Sequence, residues 1–383
     1  MTIRSLIAGG ILAAAAALPA FAQQAPGPAW PAPEAQAQGP AAQGPLAQRK
    51  GPPTTGVAAF QRVFGTAGLL TIWSANDTFG STQSRINGGL SHYATAAAGG
   101  PQTGYRDKVS TLLTPISGLT AIGDGRSFLY AGLSMQSATS SKNIAYSDSS
   151  VALLTLSYLR MPTDNLVWGI GLLGQSAHTD MKNNDGRINA GNLGLRGDLL
   201  YKFNEHWAVV NRFVYLNGDS DTKIPTPVGY VRENRDTSML YYQGDLVGTF
   251  TDKDVSFLSP GWVLHPTLGV VTEQLTRDGA TNNRGVTSQK QDVDYTAVSA
   301  ILRLEKPVFA PGAWSPQVEI GLKHELHNSL GSYSDEDSYL YSLIGVGRRL
   351  SANGYFNAAY SRDDGLNGNR RTQTFKLIYS MSF

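Results

Sequence analysis

From Ser127 onward, apolar and polar residues alternate one by one along most of the chain. In the last stretch Phe375, Leu377, Tyr379, Met381 and Phe383 alternate with Thr374, Lys376, Ile378, Ser380 and Ser382. Successive side chains of a strand point to opposite faces, so this pattern makes one apolar face and one largely polar face. Asn192, Arg196, Asp198 and Lys202 alternate in the same way with Leu193, Leu195, Leu199, Tyr201 and Phe203. Gln243 and Asp245 oppose Leu240, Tyr242, Leu246 and Phe250; Glu319, Lys323 and Glu325 oppose Val318, Ile320, Leu322 and Leu326. The repeats predict about twelve strands, near 126–138, 149–161, 165–178, 189–203, 206–216, 237–251, 260–275, 291–306, 314–327, 338–350, 353–363 and 370–383.

The connectors alternate too. Long polar gaps fall at Thr139–Asp148, Thr179–Ile188, Gly218–Asp236, Arg277–Lys290 and Asn328–Glu336, between short ones such as Pro162-Thr163-Asp164, Asn204-Glu205 and Ser351-Ala352. Outer-membrane barrels show this asymmetry, with short periplasmic turns and longer extracellular loops. An even strand number would put both ends of the barrel in the periplasm.

Upstream the pattern differs. Met1-Thr2-Ile3-Arg4, an apolar run from Leu6 to Leu18 and Ala20-Phe21-Ala22 have the order of a signal peptide, residues 1–22, with cleavage before Gln23. The run is shorter than the roughly 20 residues of a spanning helix. Residues 23–56, rich in Ala, Pro, Gln and Gly, read as a linker. Residues 57–125 form a mixed N-terminal segment. It holds candidate helices around Ala58, Phe60, Val63 and Phe64 and over Gln83–Ala98, the second weakened by Gly88 and Gly89. The barrel is then expected over 126–383.

Composition narrows the class. There is no cysteine, so a disulfide-stapled domain is excluded, and the net charge of +2 offers nothing to a nucleic acid. A soluble sandwich or ligand-holding barrel would show the same periodicity with its apolar face turned inward. Aromatic residues near strand ends, Trp168, Trp207, Trp262, Tyr201 and Phe203, instead suit an interfacial girdle. The expected fold is therefore all-β, a transmembrane antiparallel up-and-down barrel in the outer membrane of a Gram-negative-type bacterium. Its partners are the membrane lipid, and a monomer is expected.

Phe375, Leu377, Tyr379, Met381 and Phe383 resemble the C-terminal signal that outer-membrane barrels present to their insertion machinery. A narrower resemblance covers roughly the last 260 residues. Trp168-Gly169-Ile170-Gly171-Leu172-Leu173-Gly174, the loop Asp185-Gly186-Arg187, and Gly194-Leu195-Arg196-Gly197-Asp198-Leu199-Leu200-Tyr201 are similar to early strands of autotransporter translocator domains. Trp207 to Asp221 and a later strand with Pro266, Gly269 and Glu273 continue the likeness. The resemblance implies a barrel of about twelve strands, carrying or plugged by its own N-terminal segment. It also implies a pore-threading helix before the first strand, yet Pro115 and Gly118 make Arg106–Leu119 a poor helix. A small-solute channel and a structural outer-membrane protein are the alternatives.

Candidate chemistry is sparse. Charges face lipid only at high cost, so Arg196, Asp198, Lys202, Arg212, Asp245, Glu273, Arg303, Glu305, Glu319, Lys323, Glu325 and Lys376 are expected in the lumen. Mixed signs there do not suit strong ion selectivity. His327-Asn328-Ser329 has the spacing of a barrel lipase dyad, but the register turns His327 into the lumen, away from lipid. Asn183-Asn184-Asp185-Gly186, Asp219-Ser220-Asp221 and Asp335-Glu336-Asp337 read as hydrated loops more readily than as Ca²⁺ sites. No catalytic, cofactor or zinc pattern is found, and no enzymatic activity is expected.

Overall fold

The computed structural model describes Thr82 and residues 107–140, 147–182, 184–307, 311–329, 336–351 and 353–382. The signal peptide, the linker, the two helix candidates and Phe383 lie outside the described residues.

Thirteen long strands follow one another: β1 (Asp107–Ile122), β2 (Ser127–Ser140), β3 (Ser147–Thr163), β4 (Leu166–Met181), β5 (Gly186–Lys202), β6 (Trp207–Thr226), β7 (Gly229–Gly248), β8 (Val263–Arg277), β9 (Gln291–Glu305), β10 (Trp314–Asn328), β11 (Ser338–Arg349), β12 (Gly354–Gly365) and β13 (Arg370–Ser382). Each pairs antiparallel with the next, and β1 pairs parallel with β13 to close the ring. Closure gives the wall's backbone N–H and C=O groups partners inside the sheet, the condition for crossing hydrocarbon with strands. The end of the barrel where β13 finishes is called lower here; there Ser382 donates its N–H to Asn353 O at 2.8 Å. The opposite, upper end carries the β6–β7 hairpin.

The outward face is apolar. Ile170, Leu172, Leu195, Ile320, Leu322 and Ile344 are each more than half exposed, as expected for a wall that lipid covers. At the lower rim Trp168 packs edge-on to Tyr158 (6.0 Å), Tyr201 to Phe203 (5.7 Å) and Trp207 to Phe250 (5.7 Å). Trp262 and Trp314 stand at the lower starts of β8 and β10. The rim is tied by charge as well. Arg126 N–H and the Arg160 guanidinium both donate to Asp124, at 3.0 and 2.9 Å, in the β1–β2 turn. The Arg126 N–H, with help from Arg160, holds that carboxyl below its ordinary range.

Several expectations change. Twelve strands lie from Ser127 onward, but a thirteenth, Asp107–Ile122, falls inside the stretch assigned to the N-terminal segment. The even count is therefore wrong for this barrel, and the described part of the doubtful helix, from Asp107 to Leu119, is strand instead. Pro115 and Gly118, poor in a helix, sit at a seam where one missing N–H is tolerated. The long loop expected at Gly218–Asp236 is mostly strand, because β6 and β7 stay paired up to Thr226↔Gly229. Arg284 braces that hairpin, donating to Thr226 Oγ1 (2.8 Å), Val228 O (3.1 Å) and Gly229 O (3.1 Å). A register shift at Thr296/Ala297 puts His327 opposite the outward Thr296, so it is exposed outside the barrel rather than in the lumen. Ser329 Oγ, its supposed partner, accepts the N–H of Asp294 at 2.9 Å.

Close approach of backbones explains one glycine in particular. A Cβ on Gly194 would lie 1.7 Å from Tyr215 O, and a carbonyl locked in the β5–β6 ladder cannot yield. Gly194→Ala is expected to lower folding free energy by about 1–3 kcal/mol, the usual range for overpacking, read by denaturant titration in lipid vesicles. An unchanged midpoint would mean that the two strands have room to part.

Candidate functional site: the inner wall

The inward face of the wall is less polar than the alternation alone implies. Phe128, Tyr130, Leu159, Met161, Val167, Leu200, Val210 and Val247 pack together at its lower part, on β2 to β7. A second buried group, Leu153, Leu173, Val214, Leu216, Met239, Tyr241, Val271, Val293 and Tyr295, lies higher. These are the inward positions of consecutive strands, brought side by side by the register.

Among the ion pairs set into this wall are two buried clusters. In the first, Arg196 donates Nε and a terminal NH₂ to the two oxygens of Asp198, at 2.6 and 3.0 Å. Arg212, paired across the ladder with Asp198, adds Nε–H···Oδ1 at 3.0 Å. All three side chains are buried, and the Arg196 guanidinium also lies 5.7 Å from the centre of the Tyr130 ring. Positions i and i+2 of one strand share a face, which is why Arg196 and Asp198 can meet. Nearby, Tyr241 OH donates to Gln243 Oε1 (3.0 Å) and Gln243 Nε2 to Asp245 Oδ2 (2.7 Å).

The second cluster repeats the arrangement on β9. Arg303 donates Nε and a terminal NH₂ to Glu305 Oε2 at 2.9 and 2.6 Å, and to Gln317 Oε1 at 2.8 Å. Its other terminal nitrogen lies 3.3 Å from Glu319. His265, fully buried, faces Gly248 O through Nδ1 at 2.9 Å and Glu305 through Nε2 at 3.5 Å, an ion-pair distance rather than a hydrogen bond. Higher up, Tyr341 OH donates to Glu319 (2.9 Å), and Lys323 reaches Asp363 (2.8 Å) across the Tyr341 ring (4.0 Å). Glu325 accepts Asn328 Nδ2–H at 2.9 Å.

All twelve charged residues expected in the lumen thus occupy inward strand positions, Lys202 near the lower rim and Glu273 and Lys376 buried among the wall residues. What the spacing did not supply is the pairing, or the three further members His265, Gln317 and Asp363. His265 stands alone in an apolar run, and Asp363 has charged neighbours on both sides, so neither face was marked for it. Of the acidic loop groups, Asp219 and Asp221 belong to β6. Glu336 is buried and accepts the N–H groups of Asn367 (3.2 Å) and Asn369 (3.1 Å). Among the described residues, no group of three His, Cys, Asp or Glu is placed to hold a metal ion. Beside the second cluster lies a cavity whose lining includes Thr111, Asp245, Arg303, Lys323 and Lys376, together with Thr82. Its walls offer hydrogen-bonding groups and charges of both signs to a polar occupant.

Residues 129–339, more than half of the chain, match the family model described as the autotransporter β-domain. The chain belongs to that family. Membership places this autotransporter-type barrel in the Gram-negative outer membrane. The matched stretch runs from β2 to the start of β11 and leaves out β1, β12 and β13. Among solved structures, the chain is similar to the β-domain of the Bordetella autotransporter BrkA, at 16% identity and TM-score 0.48, covering 60% of this chain and 88% of that one. It is also similar to the translocator domain of NalP from Neisseria meningitidis, at 11% identity and TM-score 0.47, covering 76% and 93%. A likeness to the monoaromatic hydrocarbon channel CymD has 12% identity and TM-score 0.40, covering 67% and 82%. No curated protein sequence matches the chain.

Proposed function

We propose that this barrel carries its own N-terminal segment through its lumen, with β1 as the trailing end of the transported stretch and the part around Thr82 retained as a plug. The observation that carries the reading is the direction of β1. Asp107 pairs with Arg370 at the upper end, whereas β13 finishes at the lower end. A chain exported behind a signal peptide reaches the membrane from the periplasm. We assign the lower end to the periplasm, because the tight Asp164–Asn165 turn lies there and the overhanging β6–β7 hairpin lies opposite. On that orientation Asp107, where β1 begins, stands at the outer mouth, which supports passage of the chain that precedes it. Thr82, buried and lining the same cavity as Thr111 and Lys376, supports a retained plug.

The outward side chains of β13, Phe375, Leu377, Tyr379 and Met381, suit recognition by insertion machinery during assembly.

The chain has no cysteine, so single replacements give unambiguous labels. On intact cells, a membrane-impermeant maleimide is expected to label Val228→Cys in the upper turn and Gln48→Cys in the linker. Lys253→Cys, in the lower turn region, should react only after permeabilisation. Labelling of position 48 only after permeabilisation, with 228 and 253 behaving as stated, overturns export of that segment.

A further inference from the structure

β1 differs from the other twelve strands in how it is held. Its ladder to β2 is antiparallel and unbroken from Val109↔Ser140 to Ile122↔Ser127. Its ladder to β13 is parallel, unlike every other pairing in the barrel, and it is interrupted. Rungs run from Asp107↔Arg370 to Leu113↔Lys376 and resume at Ile116↔Tyr379, leaving none at Thr114 and Pro115. Proline has no N–H to give, so that gap is written into the sequence. Among the side-chain contacts across the seam are Ser117 Oγ to Ser380 Oγ at 3.1 Å and Gln373 Nε2 to Ser110 Oγ at 2.8 Å.

The strands flanking β1 have a matching relation to each other. β2 is antiparallel to β1 and β1 is parallel to β13, so β2 and β13 run antiparallel. Without β1 their facing edges have the orientation used by every other neighbouring pair. Strand withdrawal in lipid is normally barred, because it bares two rows of backbone groups with no water to satisfy them. Here those rows can satisfy each other. The exchange gives up one antiparallel ladder to gain another, and its net loss on the wall is the interrupted parallel seam.

We propose that β1 is a removable strand. The barrel interconverts between a thirteen-stranded form, with β1 wedged between β2 and β13, and a twelve-stranded form in which β2 closes directly on β13. The segment tethered by β1 is held in the first form and freed from the wall in the second. The exchange concerns the wall alone and stands whether or not the N-terminal segment is exported.

Cysteine cross-linking of the full chain in membranes tests it. Ser134 pairs with Pro115 on one side, and the seam register puts Ile378 on the other. With β1 in place, positions 134 and 378 are two strand spacings apart, about 9–10 Å, which a disulfide cannot bridge. Under mild oxidation the Ser134→Cys/Ile378→Cys protein is expected to accumulate an intramolecular disulfide with time, seen as a shift on a non-reducing gel. Cysteine at 376 or 380 in place of 378 covers a two-residue difference in closing register. Ser117→Cys/Ser380→Cys, spanning the seam itself, should cross-link rapidly and completely. Pro115→Thr supplies the missing N–H and is expected to slow the 134–378 cross-link several-fold. If none of the three 134 pairs cross-links while 117–380 does, β1 is a permanent strand and the proposal fails. If 117–380 also stays reduced, the parallel seam itself is refuted, and an unaltered rate in Pro115→Thr refutes the role given to the gap. Surface labelling of position 48 is an independent readout, so failure here is distinct from failure of export.

Discussion

Asp198→Ala is expected to destabilise the barrel by about 3–5 kcal/mol, because it leaves buried cations without their shared anion. Arg196 and Arg212 both depend on that carboxylate, and neither side chain reaches solvent appreciably. The cost is that of stranding a charge in a medium that solvates it poorly, rather than that of the hydrogen bonds alone. Replacing the whole triad, Arg196→Met with Asp198→Leu and Arg212→Met, removes the charges together. It should be neutral, or more stable than the parent by up to about 4 kcal/mol. Folding free energies from denaturant titration in lipid vesicles check both. An Asp198→Ala barrel as stable as the parent would mean that water or another anion reaches the two guanidiniums.

The second large effect lies one residue from Arg196 and on the other face. Leu195 is 60% exposed and points outward between Leu172 and Tyr215. Leu195→Arg puts a guanidinium into hydrocarbon, for which barrels lose about 2–4 kcal/mol near the midplane. At position 196 the same side chain is buried against Asp198 and is part of the wall's stability. In detergent micelles, where a charge can find water more easily, the Leu195→Arg penalty should shrink. The Asp198→Ala penalty, which arises inside the wall, should persist. Equal penalties for Leu195→Arg in vesicles and micelles would contradict the outward assignment.

This contrast between 195 and 196 also shows how much could be read in advance. For β2 to β13, alternation marks the faces because lipid tolerates few charges and the strands rarely break step. Arg196, Asp198, Arg303 and Glu305 could be placed inward on that basis. The pairing of partners from different strands, such as Arg212 with Asp198 or Gln317 with Arg303, depends on register, and register is a property of neighbours far along the chain. A single bulge near Thr296 sufficed to turn His327 outward. β1 was hidden for another reason. Its run Thr111-Leu112-Leu113-Thr114-Pro115 does not alternate cleanly, and a proline ordinarily argues against a strand. Only a seam that forgoes a rung accommodates it. The inner apolar groups were obscured because a residue such as Leu200 or Val210 in a half-apolar strand looks alike on either face.

The tryptophans among the described residues, Trp168, Trp207, Trp262 and Trp314, all stand at the lower rim. Indole rings favour the interface between hydrocarbon and headgroups, so that rim is the more strongly fixed of the two. The upper end carries no described tryptophan, and β6 and β7 continue past the other strands there. A barrel anchored in this lopsided way meets a change in bilayer thickness at one end. Thickening or thinning shifts the upper water boundary along the β6–β7 hairpin while the lower one keeps its place, so the length of hairpin standing in water depends on the membrane around it.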